Sequence, residues 1–164
     1  MLCVNCAVAE PNKESGLCDR CENTEQQKIN GLLYLPALGL VIGLIGEVFS
    51  LFSYAQTILA YYKNSGFVSF YSMGILLISL TGLLLTAVAC WFFFKRKKKT
   101  RRIMIALYLF NLIYAIYFTL LPQKLFDMRL GTEEIRLLAG AIITVVIWIP
   151  YFIFSKRVPK VFSR

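Results

Sequence analysis

Four apolar runs, each long enough to cross a bilayer as a helix, constrain this chain more than anything else in it. The hydrocarbon core of a membrane is about 30 Å thick, and a helix rising about 1.5 Å per residue needs about 20 residues to span it. The runs extend from Gly31 to about Phe52, with apolar character continuing toward Tyr62, then from Phe67 to Phe94, Ile103 to Leu121 and Ile135 to Phe154. Strands of a membrane barrel are about half that length and alternate polar with apolar residues. These runs do not alternate, and a hydrophobic content of 58% is too high for a soluble globule of 164 residues. The expected fold is an all-α membrane protein, a four-helix transmembrane bundle over residues 29–164 preceded by a small polar segment, residues 1–28. That segment has no basic stretch followed by an apolar core, so the first span is expected to act as the targeting signal.

Charge orients the bundle. Between the second and third runs lie Lys95, Arg96, Lys97, Lys98, Lys99, Thr100, Arg101 and Arg102, and a short loop this basic stays in the cytoplasm. Four spans then put both termini on the same side, where Lys156, Arg157, Lys160 and Arg164 follow the last run. The other two loops, about 63–66 and 122–134, hold only Lys63, Lys124 and Arg129 against Asp127, Glu133 and Glu134, and are expected to face outward. Tyr61, Tyr62, Phe67, Tyr71, Tyr117 and Phe126 suit the outer interface, Trp91 and Trp148 the inner one. The net charge of +9 therefore points to lipid headgroups or an acidic protein partner, and no nucleic acid is expected. Lys95 to Arg102, with Lys156 and Arg157, are the candidate contacts.

Cys3 and Cys6 form one Cys-x-x-Cys knuckle, Cys18 and Cys21 another, eleven residues apart. A cytoplasmic segment keeps its thiols reduced, so two such pairs read as one Cys₄ metal site instead of disulfides. Pro11-Asn12 and Ser15-Gly16 supply the reversal between them. About twenty residues cannot build a sufficient core, so metal must supply the folding energy of this zinc-ribbon-like head. Four protein ligands leave no open position, which marks the site as structural. Zn²⁺ is the expected ion; iron is the alternative and would make the head an electron carrier. Ala7 and Glu22 stand where knuckles of this kind often place a glycine. Cys90, near the end of the second run, is expected to be a packing residue.

Glu47 is the one acidic residue within a run, and an intramembrane carboxylate is a functional candidate by default. If the first helix ends near Phe52, Glu47 is positioned to pair with Arg136 on the fourth; if it continues to Tyr62, Glu47 is close to mid-membrane. Asn111 in the third run is expected to make an interhelical hydrogen bond. Gly39, Gly43, Gly46, Gly74, Gly82 and Ala139-Gly140-Ala141 provide small faces for helix packing, within one chain or in a homo-oligomer. Pro36 is tolerable early in its helix, whereas Pro150 should kink the fourth.

The stretch Ile147 to Phe162, with Trp148, Pro150, Tyr151, Phe152, Ser155, Lys156, Arg157 and Val158 in fixed order, resembles the end of the YdgK-like bacterial inner-membrane family. The opening from Gly31 to Leu40 is similar to that family's start, with shifted spacing, and the likeness covers about Asn30 to Arg164. The family is a four-span domain of unknown function. The resemblance implies a bacterial inner membrane and carries over no activity, catalytic residue or metal site.

The chain has no histidine, which removes the commonest general base and every His-dependent triad. No nucleophile and base pair at helical spacing within a run, so no enzyme is expected. The leading expectation is a membrane adaptor or accessory subunit that docks a protein through its head and basic loop. A small transporter using Glu47 and an iron-loaded electron-transfer subunit are the alternatives.

Overall fold

Backbone in hydrocarbon must close its hydrogen bonds within its own segment, and the apolar runs do so as helices. A computed structural model of the chain describes residues 3–10, 16–26, 29, 31–126, 129 and 131–163. The elements are α1 (Asp19–Gln26), a 3₁₀ turn (Gly31–Leu33), α2 (Tyr34–Ser65), α3 (Phe70–Phe94), α4 (Thr100–Phe126), α5 (Thr132–Phe154) and α6 (Val158–Val161). Four of these are long and apolar enough to cross a membrane, and there is no strand among the described residues. Pro11, Asn12, Ser15, Asp127 and Arg164, which entered the sequence argument, lie outside the described residues.

Polar residues past Phe52 do not end the first span. Thr57 and Ser65 turn their hydroxyls onto Ser53 O and Tyr61 O, at 2.9 and 2.8 Å, and the helix continues for 32 residues. At about 1.5 Å per residue it is about 48 Å long and exceeds a hydrocarbon core by several turns. Gly66 stops it at φ +67, a left-handed conformation that glycine adopts without strain, and its N–H donates to Tyr62 O at 2.8 Å. Three residues later Ser69 caps α3 by accepting from Ser72 N at 3.1 Å. The fourth helix runs through Pro150 to Phe154, and α4 runs through Pro122, which the sequence suggested as loop.

The basic loop is an ordered turn. Arg96 takes φ +54, Arg96 N donates to Phe93 O at 3.1 Å and Lys97 N to Phe92 O at 3.1 Å, the paired bonds of a left-handed helix terminus. Thr100 is fully buried, and its hydroxyl bonds Phe92 O at 2.9 Å, tying the start of α4 to the end of α3.

Packing follows chain order: α2 lies on α3, α3 on α4 and α4 on α5, while α5 and α2 make no comparable contact. The core gathers at the end of the bundle that carries the basic loop. Leu33, Leu40, Phe93, Met104, Tyr108 and Phe152 are buried there together with Val158, Val161 and Phe162. The basic tail is therefore folded back: α6 inserts its apolar side under the bundle, and the Phe162 ring meets Phe93 at 5.0 Å between centroids.

Candidate functional sites: a thiol cluster and an intramembrane cavity

The two Cys-x-x-Cys pairs are built differently. In the first, Ala7 N donates to Cys3 O at 2.9 Å, and Ala7 closes the turn at φ +52, the left-handed conformation that a glycine would adopt more cheaply. In the second, Cys18 directly precedes α1 and Cys21 falls in its first turn, so Glu22 is simply helical and donates to Cys18 O at 2.9 Å. Cys3 N to Ala9 O, 2.9 Å, and Val4 N to Gly16 O, 3.4 Å, hold the segments together.

The four sulfurs of Cys3, Cys6, Cys18 and Cys21 lie within 4.8 Å of one another, and Cys6 Sγ is 3.6 Å from Cys18 Sγ. Ligands about 2.3 Å from a tetrahedral zinc are about 3.8 Å apart, so the cluster is close to the size such an ion requires. The electrostatics favour thiolate at the first pair. Cys18 N donates to Cys3 Sγ at 3.2 Å and, with the Asn5 and Cys6 amides, holds the Cys3 thiol down at about 6. The Val8 amide first, then the Cys18 thiol, lowers Cys6. The neighbouring Cys18 and Cys6 sulfurs push Cys21 up to about 12, because a further negative charge beside them is disfavoured. The cluster can hold a metal ion.

Among the described residues, α1 has no extensive packing against any of the long helices. Val4 and Val8, at the tip of the first knuckle, are 88% and 84% exposed. Of the basic loop, Lys95, Lys97, Lys98, Lys99 and Arg102 are exposed, and Arg96 and Arg101 half-buried. Lys95 Nζ lies 5.1 Å from the Trp91 ring centre and Lys97 Nζ 5.2 Å from that of Phe92. Lys156 is exposed, whereas Arg157 is half-buried, its guanidinium 3.2 Å from where a Cβ on Gly31 would sit. Cys90 packs beside the core, its thiol 3.7 Å from Leu40 O.

Glu47 belongs to the interior of α2, and its Oε1 accepts from Thr86 Oγ1 on α3 at 2.9 Å. It does not pair with Arg136, which lines the same cavity but binds Glu133 at 2.8 Å. Glu47 Oε2 and Ser79 Oγ are buried without a hydrogen-bond partner among the described residues. Both residues line a cavity of about 540 Å³ with Asn111, Tyr114, Arg136 and Thr144. Asn111 thus faces this space and makes no side-chain hydrogen bond to another described residue.

The cavity originates in the small residues. A Cβ on Gly39, Gly43, Gly46 or Gly140 would meet nothing within 4 Å, so these glycines leave a gap between α2 and α5 where close helix contact was expected. Gly82 does pack closely, a Cβ there falling 3.1 Å from the Phe110 ring, and Gly74 lies against the Tyr117 hydroxyl. Sequence reasoning missed Ser79, Thr86, Tyr114 and Thr144. The signal was present as helical spacing: Ser79, Gly82 and Thr86 share one face of α3, and Gly43, Glu47 and Ser50 one face of α2.

A family model described as a protein of unknown function, DUF2569, matches residues 26–163. The match supports a domain of unknown function over the membrane part, begins at the last residue of α1, and includes none of the four clustered cysteines. No curated protein and no solved structure matches the chain.

Proposed function

The chain belongs to the DUF2569 family of proteins of unknown function, and from that premise we propose that it is a non-enzymatic membrane adaptor or accessory subunit. Its metal is zinc, its head a zinc-ribbon-like knuckle, and its membrane the bacterial inner membrane of the YdgK-like proteins it resembles. The head and the basic loop face the cytoplasm, where short Lys- and Arg-rich loops are retained. There they dock an acidic protein partner while the bundle anchors the assembly in lipid.

One observation carries this reading. The thiol cluster is formed by a segment whose helix, α1, has no extensive packing against the long helices among the described residues, and it displays two exposed valines, Val4 and Val8. A structural metal in such a segment rigidifies the surface it displays, since folding so small a segment is the contribution the ion makes. The unneutralised positive charge of Lys95 to Arg102 favours an acidic partner and speeds its encounter.

The test is co-purification from native membrane with metal analysis of the intact protein. One zinc per chain is expected, and the paired change Cys18→Ser and Cys21→Ser should abolish capture of the partner while the protein still inserts. Unaltered capture by that variant would refute the adaptor reading; a coloured, iron-loaded protein would replace it with electron transfer.

A further inference from the structure

We propose that the cavity between α2 and α5 is a binding site for a lipophilic monovalent organic cation, an amine or quaternary ammonium on an aromatic or alkyl body, with Glu47 as its counter-charge. The site is separate from the head, so this inference stands or falls independently of the adaptor reading.

The argument begins with an incomplete charge balance. A carboxylate inside a membrane persists only when something partners it. Thr86 satisfies Oε1 alone, Oε2 is buried with no partner, and Ser79 beside it has a buried hydroxyl in the same state. The cation on the cavity wall, Arg136, is engaged by Glu133. Among the described residues Glu47 thus has a hydrogen bond but no ion pair.

Size and wall chemistry then select the ligand. A proton would neutralise Glu47 and leave about 540 Å³ unaccounted for, a volume within the range of about 300–1,000 Å³ typical of small-molecule sites. A divalent metal needs several converging hard oxygens, and Glu47 is the one carboxylate on the wall. Phe110 and Tyr114 contribute aromatic rings, which attract organic cations, and Ile78 and Leu137 contribute apolar surface. The gap between α2 and α5 lies among lipid-facing residues, so a ligand entering there must itself be soluble in hydrocarbon.

A second cavity of about 250 Å³ shares Gly43, Glu47, Asn111 and Thr144 with the first and reaches Leu35, Pro36 and Trp148 near the basic end. Glu47 therefore lines both spaces, and the smaller one ends against the buried Leu40, Met104 and Tyr108.

Ethidium binding to the full-length chain in lipid nanodiscs, followed by fluorescence anisotropy, tests the proposal. One saturable site per chain is expected. Glu47→Gln, which keeps the shape and the Thr86 bond, should weaken binding at least about tenfold, because it removes the one buried partner charge. Gly140→Leu should weaken it similarly by filling space that no atom occupies, with thermal stability unchanged. If Glu47→Gln fails to fold, the Gly140 variant decides alone. The proposal is overturned if ethidium does not saturate, if both folded variants bind it like the parent, or if a neutral ligand of similar shape competes equally well. It is also overturned if Gly140→Leu dissociates a dimer, since a helix of a second copy would then fill the gap.

Discussion

At the scale of single residues, the head carries strain that its sequence makes visible. Ala7 holds φ +52 to close the first knuckle, and a left-handed non-glycine residue costs about 1–2 kcal/mol. Glycine would relieve that cost but lose more freedom on folding, so the net gain from Ala7→Gly should be about 1 kcal/mol. Measured by competition with a zinc chelator, affinity should rise roughly fivefold, the equivalent of that energy. An unchanged or lowered affinity would mean that the turn is not required for ligation. Glu22, in the matching place of the second pair, lies within α1 and bears no such strain, so Glu22→Gly should bring no gain. Glycine after the second cysteine is thus needed only where a knuckle turns back, not where it opens a helix.

At the scale of elements, α6 changes the meaning of the chain's end. Its basic residues suggest a loose tail oriented by charge, yet Val158, Val161 and Phe162 are 1%, 1% and 3% exposed. The short helix closes the bundle where Leu33, Phe93 and Met104 already meet, and Gly31 lies beside Arg157, so the two ends of the family-like region come together. Phe162→Ala would remove a ring packed against Phe93 and should cost about 3 kcal/mol, as buried aromatic truncations do. A thermal shift in detergent checks it: a clear drop is expected for Phe162→Ala and little change for Phe154→Ala, whose side is 80% exposed. Equal shifts would show that α6 is not part of the core.

At the scale of the whole molecule, the thiol cluster and the bundle are held by different forces. The cluster's segment is too short to build a core of its own and is expected to rely on a cation, whereas the long helices satisfy their backbones internally and pack in chain order. Removing metal with a chelator should expose the amides of residues 16–26 to hydrogen exchange while those of Phe70 to Phe94 stay protected. Exchange spreading through α3 would tie the bundle's stability to the head. The bundle is itself uneven, dense at its basic end and hollow around Glu47, because bulky side chains gather at one level and glycines at another.

The number and type of the membrane-length helices, the identity of the four clustered cysteines and the position of the basic loop in the chain were legible in the residues alone, whereas α1 and α6 were not. Each is a local property: a lipid-length apolar run has no alternative but to be helical, and two Cys-x-x-Cys pairs bring their own spacing. The partner of Glu47 was not legible. Whether it met Arg136 or Thr86 depended on how far α2 continued and which helices became neighbours, and both of those are settled by packing. The glycines show the same division: their sequence spacing establishes that one helix face is bare, but only the arrangement of α2 against α5 decides whether that face receives another helix or leaves a cavity. Periodicity acts within a segment, whereas emptiness arises between segments, and so the membrane architecture came from the sequence and the intramembrane space from the tertiary structure.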